Sequence, residues 1–383
     1  MTDAPRKRRW PWYLAALFVL LALGAWWVNR QLEPNRLTAL VLERAGTALG
    51  LELSIDGTPE YALRPEPRLV LPNLVARQPG AATSILRAAR AEVSLPWDTI
   101  TGGDSLVITR VELQQPMLDL AALAAWQATR PDTAFELPTL TEGIRIAEGR
   151  VIGDGWLVSG LTLSVPELRP GAELRAEATG RVEVNTTRVD FTAAADVASA
   201  GLASGLRLQS NGRILSGELD APFDLEWLGA FDATGDSSLL RFDRLEMVFQ
   251  SPLPNLTATG TARLGAGTTL SLRGEIPRWP EGWPALPEPL AASESALAFV
   301  LEYEGPNDFS APLALQLKRD QTELQSAFAV PALLTWLDSD RKNPLPPLEG
   351  TLTTPRLVVA GATLEGLRIE FEPEEPAAEE PTP

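Results

Sequence analysis

The chain contains no histidine and no cysteine, and only three of its 383 residues are lysine (Lys7, Lys318 and Lys342). Without histidine it lacks the side chain that most often serves as general base or metal ligand near neutral pH. Every Ser-His or Cys-His nucleophile pairing is excluded with it. Without cysteine there is neither a disulfide framework nor thiolate chemistry, which fits reducing and oxidising compartments equally. A phosphate-binding Walker loop, a dinucleotide-binding glycine triplet, a nucleophile elbow and a zinc-protease motif are also missing. Ser339 to Lys342 matches Ser-x-x-Lys, but the companion motifs of that chemistry do not follow, and a solvated charged loop accounts for it. Asp338 and Asp340 lack the glycine and closing glutamate of a calcium loop. Asn185-Thr186-Thr187 and Asn255-Leu256-Thr257 match glycosylation sequons, a pattern common by chance. No carboxylate spacing singles out a glycosidase-like pair. The reading is of a chain that is not an enzyme, with no metal site, no catalytic residue and no cofactor.

Positive charge is scarce as well. The formal net charge is -17; residues 1–9 carry +3, so the remainder carries -20. A body this acidic repels phosphate backbones, which argues against nucleic-acid partners.

What is present begins with Trp10–Val28, nineteen residues without a charge, about the length that crosses a hydrocarbon core. Arg6-Lys7-Arg8-Arg9 precedes it, so the positive-inside rule places residues 1–9 in the cytoplasm as a basic tail. Arg8, Arg9, Trp10 and Trp12 at one end, and Trp26 and Trp27 at the other, read as membrane-interface anchors. A cleaved signal peptide ending near Ala22-Leu23-Gly24 is the competing reading, and the odd mature start at Trp26-Trp27 argues against it. Either way the body is translocated. The expected setting is the inner membrane of a Gram-negative-type bacterium, crossed once, with residues 29–371 in the periplasm.

From Asn35 to Leu49 apolar residues follow helical spacing, and Gly50 stops them. Beyond Leu51 the period becomes two, as in Val107 to Leu113, Leu157 to Val165, Leu245 to Phe249 and Leu367 to Phe371. About fifteen strands are expected, mainly antiparallel, with turn signals such as Asn211-Gly212 and Gly265-Ala266-Gly267. Three short helices are expected, at Met117 to Gln127, Phe223 to Leu228 and Pro331 to Leu337. Pro277 to Pro289 and Arg341 to Gly350 read as loops, and the acidic, proline-rich residues 372–383 as a disordered tail. A division of the body near 229–238 is left open.

Each strand has an apolar and a polar face, and three short helices cannot cover fifteen apolar strand faces. Two architectures remain: a closed β-sandwich, or a long curved sheet whose apolar trough is filled by something else. Residues predicted to line such a trough are Val111, Leu113, Leu161, Leu163, Val184, Phe191, Leu208, Leu219, Met247, Phe249 and Leu272. The alternative for each is an ordinary sandwich core position.

The ordered series from Leu37 to Leu120 bears on that choice. An amphipathic helix leads to Gly50-Leu-Glu-Leu-Ser-Ile-Asp-Gly57. Pro65-Glu-Pro67-Arg-Leu69, Ala88-Ala-Arg-Ala-Glu-Val-Ser-Leu95, Ile108-Thr-Arg-Val-Glu-Leu113 and Gln115-Pro116-Met-Leu-Asp-Leu120 follow. With the N-terminal segment this resembles the start of the AsmA family of envelope proteins, and Phe223-Asp-Leu-Glu-Trp-Leu228 is similar to a recurrent element of that family. The resemblance implies an inner-membrane anchor carrying a periplasmic curved β-sheet with an apolar groove. It further implies a role in outer-membrane biogenesis and phospholipid as a partner. Each methylene moved from water into such a groove is worth roughly 0.8 kcal/mol, so acyl chains need no nucleophile, metal or cofactor to be held. The other reading is a structural or assembly component of the envelope or a secretion apparatus, binding other envelope proteins through Trp279 and Trp283 of the proline-rich loop and carrying no lipid. About fifteen strands at about 4.8 Å would stack to roughly 70 Å.

Overall fold

The computed structural model describes residues 42–43, 46–47, 50–62, 64, 66–97, 107–129, 137–235, 237–250, 253–280, 283, 285–333, 348–359 and 362–371. The span Trp10–Val28, its interface residues and the tail 372–383 lie outside them, as do most of the expected helices at 35–49 and 331–337. Among the described residues no helix is long and apolar enough to cross a membrane.

The N-terminal part is built from broken strands. β1 (Glu52–Ser54) and β2 (Glu60–Ala62) pair with opposite halves of β3 (Arg68–Arg77), which pairs with β4 (Ser84–Ser94). The two-residue β5 (Val107–Ile108) leads to β6 (Arg110–Gln114) and β7 (Met117–Asp119), which both lie against β4. β6 and β7 are one strand interrupted at Gln115, whose φ is 49°, and at Pro116, which has no N–H to offer a ladder. Asp119 then accepts a 2.9 Å hydrogen bond from the Ala122 amide and caps helix α1 (Leu120–Gln127). After β8 (Thr139–Leu140), β9 (Ile144–Ile152) returns parallel to β6 and β7.

From β9 onward every strand pairs antiparallel with the next. The run is β10 (Trp156–Val165), β11 (Leu174–Val184), β12 (Thr187–Val197), β13 (Ala203–Ser216), β14 (Leu219–Asp232), β15 (Ser238–Phe249) and β16 (Leu256–Leu264). It continues through β17 (Thr268–Ile276), β18 (Leu297–Gly305), β19 (Pro312–Arg319), β20 (Thr322–Ala329), β21 (Glu349–Val359) and β22 (Ala362–Phe371). Twenty strands thus form one sheet, mostly antiparallel, and β5 and β8 form a separate parallel pair. The described residues offer no second sheet large enough to make the other half of a sandwich.

Short hairpins hold this meander in register. Asn185, Gly217 and Asp320, with φ of 51°, 55° and 55°, each occupy the first position of a two-residue loop, where glycine, asparagine and aspartate tolerate positive φ. Arg175 pairs directly with Asp196, and Arg181 with Asp190, across β11 and β12, at 3.3 and 2.6 Å. Such exposed pairs are worth about 0–1 kcal/mol; their larger effect is to penalise a one-residue slip, which would turn them to the apolar side.

Two expectations are corrected. Phe223 to Leu228 is not helical but lies inside β14, because Phe223, Leu225 and Trp227 alternate with Asp224 and Glu226 at the period of a strand. Asn211-Gly212 is not a turn but the middle of β13, where Gly212 stands opposite Phe191 on one side and Phe223 on the other. The expected helix after Met117 is α1, and the loop at 277–289 has no strand or helix among its described residues. The 229–238 segment is the end of β14 and its connection to β15, and the two strands are paired along ten registered positions.

Candidate functional site

Directly opposed residues of a ladder share a face, so the register traces rows across the sheet. One row reads Leu71, Ala91, Leu113, Ile146, Leu163, Ala178, Ala193, Ser210, Leu225, Met247, Leu256. A second reads Ala176, Ala195, Leu208, Trp227, Leu245, Ala258, Gly274, Phe299, Leu317, Leu324, Leu352, Ile369. Apart from Ser210 and Gly274 these rows are apolar. The row between them on the other face contains Ser164, Glu177, Gln209, Glu226, Glu246, Thr257, Glu275, Lys318 and Glu323.

All eleven trough candidates fall on the apolar face. Val111 and Leu113 stand opposite Ile144 and Ile146; Leu161 and Leu163 follow on β10; Val184, Phe191 and Leu208 come next. Leu219 begins β14, Phe249 opposes Phe223, Met247 opposes Leu225, and Leu272 opposes Leu301. Ten of the eleven are half-buried and only Leu219 is buried. Trp227, Leu245, Ala258 and Phe299 form the buried centre, with half-buried Leu208, Met247, Leu272 and Leu317 packed around them. Most of the face is therefore neither solvent-exposed nor sealed. At one rim it is closed by a smaller cluster, Leu140, Leu168 and Ala200, packed on Ile108, Val111, Ile144 and Leu174.

Glycine and phenylalanine oppose one another repeatedly on this face: Gly180 with Phe191, Phe191 with Gly212, Gly212 with Phe223, Phe242 with Gly260, Gly274 with Phe299 and Gly350 with Phe371. Three of the rings lie over their glycine. A Cβ placed on Gly180, Gly212 or Gly274 would stand 3.2, 3.0 and 2.9 Å from the ring of Phe191, Phe223 and Phe299. At Gly212 and Gly274 it would also stand 2.1 and 2.0 Å from the Asp190 and Thr257 carbonyl oxygens. The backbone there leaves no room for a side chain, and the neighbouring ring fills the space, a combination that allows a sheet to bend.

Two cavities lie elsewhere, and neither was visible in the sequence. The larger, about 620 Å³, is on the polar face over β10 to β15, lined by Thr162, Glu177, Thr179, Gln209, Asp224 and Glu226. Ala178, Ala193, Ser210 and Leu225 of the first row also line it, so hydroxyl, amide and carboxylate groups there are mixed with apolar ones. A twisted sheet is saddle-shaped and so concave on both faces, and a bay on the polar side follows from the twist. The other, about 570 Å³, lies between the 277–296 loop and the end of β19. Trp279 and Trp283 of that loop pack edge to face at 5.0 Å, and Val358 of β21 donates a 2.8 Å hydrogen bond to the Glu288 carbonyl. The expected docking tryptophans thus pack on each other. Arg8, Arg9, Trp10, Trp12, Trp26 and Trp27 lie outside the described residues.

Among the described residues no group of histidine, cysteine or carboxylate side chains could hold a metal ion. Three aspartates, Asp232, Asp308 and Asp320, are held below the ordinary carboxylate pKa, chiefly by hydroxyl groups of Thr234, Ser310 and Ser293 respectively. Asp308 and Asp320 are in turns, Asp232 is the last residue of β14, and all three are away from the apolar rows. No family model, curated protein or solved structure matches the chain.

Proposed function

We propose that the chain is an AsmA-like envelope protein, anchored in the bacterial inner membrane by Trp10–Val28, whose periplasmic apolar sheet face holds or passes phospholipid acyl chains in outer-membrane biogenesis. The observation that carries this reading is the pair of apolar rows running from strand to strand with their side chains half-buried. A face this apolar is costly to leave in water. A face this accessible has room for an apolar guest. The glycine–phenylalanine pairs support a sheet that curls into a gutter about that guest. Each methylene that leaves water there contributes up to about 0.8 kcal/mol, while the headgroup remains hydrated, and no chemical step is required.

Site-specific photocrosslinking tests this in bacterial envelopes. A photoreactive residue is placed at Leu208 or Leu272 on the apolar face, and at Gln209 or Arg273 on the polar face. Phospholipid adducts at the first two positions alone are expected. Their absence, or equal labelling of all four positions, would sink the proposal. Ser210, half-buried in the middle of an apolar row, provides the functional counterpart. Ser210→Arg is expected to abolish lipid adducts at Leu208 while the protein keeps the wild-type β-sheet circular dichroism spectrum.

A further inference from the structure

The apolar rows of β17 to β19 end at the 570 Å³ cavity, whose size is that of an ordinary small-molecule site. Ile276, at the end of β17, is followed directly by the lining residues Pro277, Arg278 and Trp279. Arg319 closes β19 and, two residues beyond Leu317, shares its face by strand alternation. Two guanidinium groups and one carboxylate, Glu294, therefore meet where an apolar surface stops. Arg319 donates to the Ser293 carbonyl, while its buried Nε has no partner among the described residues. Arg278 is exposed and enters no ion pair among the described residues. Asp320 is close by, but its carboxylate accepts a 2.8 Å hydrogen bond from Ser295 and does not line the cavity.

Arginine presents a planar fork of donors that matches phosphate oxygens. Indole rings such as that of Trp279 suit the boundary between apolar and wet surroundings. A carboxylate beside two arginines would repel a ligand that is anionic throughout, but it complements one that also carries an ammonium group. We infer that this cavity receives the headgroup of a zwitterionic phospholipid, with its phosphodiester at Arg278 and Arg319 and its ammonium at Glu294. The acyl chains run from there along the face of Leu317 and Leu315. The inference rests on the proposed function, to which it adds an end point and a headgroup chemistry.

The test uses the full chain in bacterial envelopes with a photoreactive residue at Leu317, and reads the headgroup of the adduct by mass. The wild type is expected to capture ethanolamine phospholipid. Arg278→Gln is expected to lower the yield by about tenfold, and Arg319→Gln likewise. Glu294→Gln is expected to keep the yield and shift the adducts toward glycerol headgroups. Arg319→Gln also removes the bond to Ser293, so Arg278→Gln, at an exposed side chain, is the deciding variant. Unchanged yield and headgroup in Arg278→Gln, with wild-type adducts intact, would overturn the headgroup site and leave the apolar-face reading standing. No adduct at Leu317, Leu208 or Leu272 in the wild type would overturn both. Titration with inorganic phosphate alone separates a lipid phosphate from a free one. Saturable phosphate binding that Arg278→Gln removes, without any lipid adduct at Leu317, would reassign the cavity to a free oxyanion.

Discussion

Trp227 sits in the buried centre of the apolar face, only 8% exposed, with its ring 4.9 Å from that of Phe242 and its Nε1 donating a 3.0 Å hydrogen bond to the Arg241 carbonyl. Trp227→Ala removes the largest side chain of that cluster and leaves the carbonyl without its donor. The expected loss is about 3–5 kcal/mol, read from urea denaturation. Trp227→Phe keeps most of the volume and is expected to lose only about 1 kcal/mol, the usual net value of one hydrogen bond. At Gly274 the direction is reversed, because adding atoms does the damage. Gly274→Ala sets a Cβ 2.0 Å from the Thr257 carbonyl oxygen and 2.9 Å from the Phe299 ring, so backbone must move. A loss of about 2 kcal/mol or more is expected from the same measurement. Asp232, Asp308 and Asp320 respond to pH. Their folded pKa values are lowered, so the stability they contribute is fully present above the ordinary carboxylate pKa and is lost as pH falls through the lowered values. Ser310→Ala should return the Asp308 carboxyl toward its ordinary value, visible in an NMR titration of that side chain, and the small stability it removes is present at neutral pH and absent at low pH.

At the scale of elements, most of the antiparallel meander is legible from alternation alone. Val182 and Val184 against Arg181 and Glu183, or Leu270 and Leu272 against Ser271 and Arg273, define faces before any partner strand is known. Reading failed where local chemistry imitates something else. Phe223 to Leu228 has apolar residues at positions 223, 225, 227 and 228, and the final pair, Trp227-Leu228, suggests a helical turn. In the structure Leu228 is an exposed residue on the polar side, 44% accessible. Asn211-Gly212 has the composition of a hairpin turn, yet at position 212 a Cβ would stand 2.1 Å from the Asp190 carbonyl oxygen and 3.0 Å from the Phe223 ring. The parallel return of β9 onto β6 and β7 was not legible, since periodicity carries no direction. Nor were the cavities, which depend on residues brought together by register or by a loop folding back: Arg278 lies in the 277–296 loop and Arg319 ends β19, and only the path of that loop brings them to one cavity. The trough candidates were legible as a set because alternation assigns a face without requiring knowledge of the partner strand.

At the scale of the molecule, the sheet has eighteen strand positions among the described residues when β1 with β2, and β6 with β7, are each counted as one broken strand. At about 4.8 Å per step it extends about 80 Å in the hydrogen-bonding direction, somewhat beyond the sequence-based expectation. From β10 to β22 each strand pairs only with its neighbours in the chain. Such a quasi-one-dimensional array is expected to fray from its ends and not to unfold as a block. Removing β21 and β22 should therefore raise amide exchange in β20 and leave β10 to β14 protected; loss of protection throughout would indicate global cooperativity. The same nearest-neighbour pairing makes length adjustable. Adding or deleting one strand reverses the rim at which everything downstream emerges, whereas a whole hairpin restores both rim and face. A molecule of this kind can thus grow or shrink in steps of about 10 Å, and its reach can be retuned by duplicating a two-strand unit, with the polarity of its two surfaces preserved.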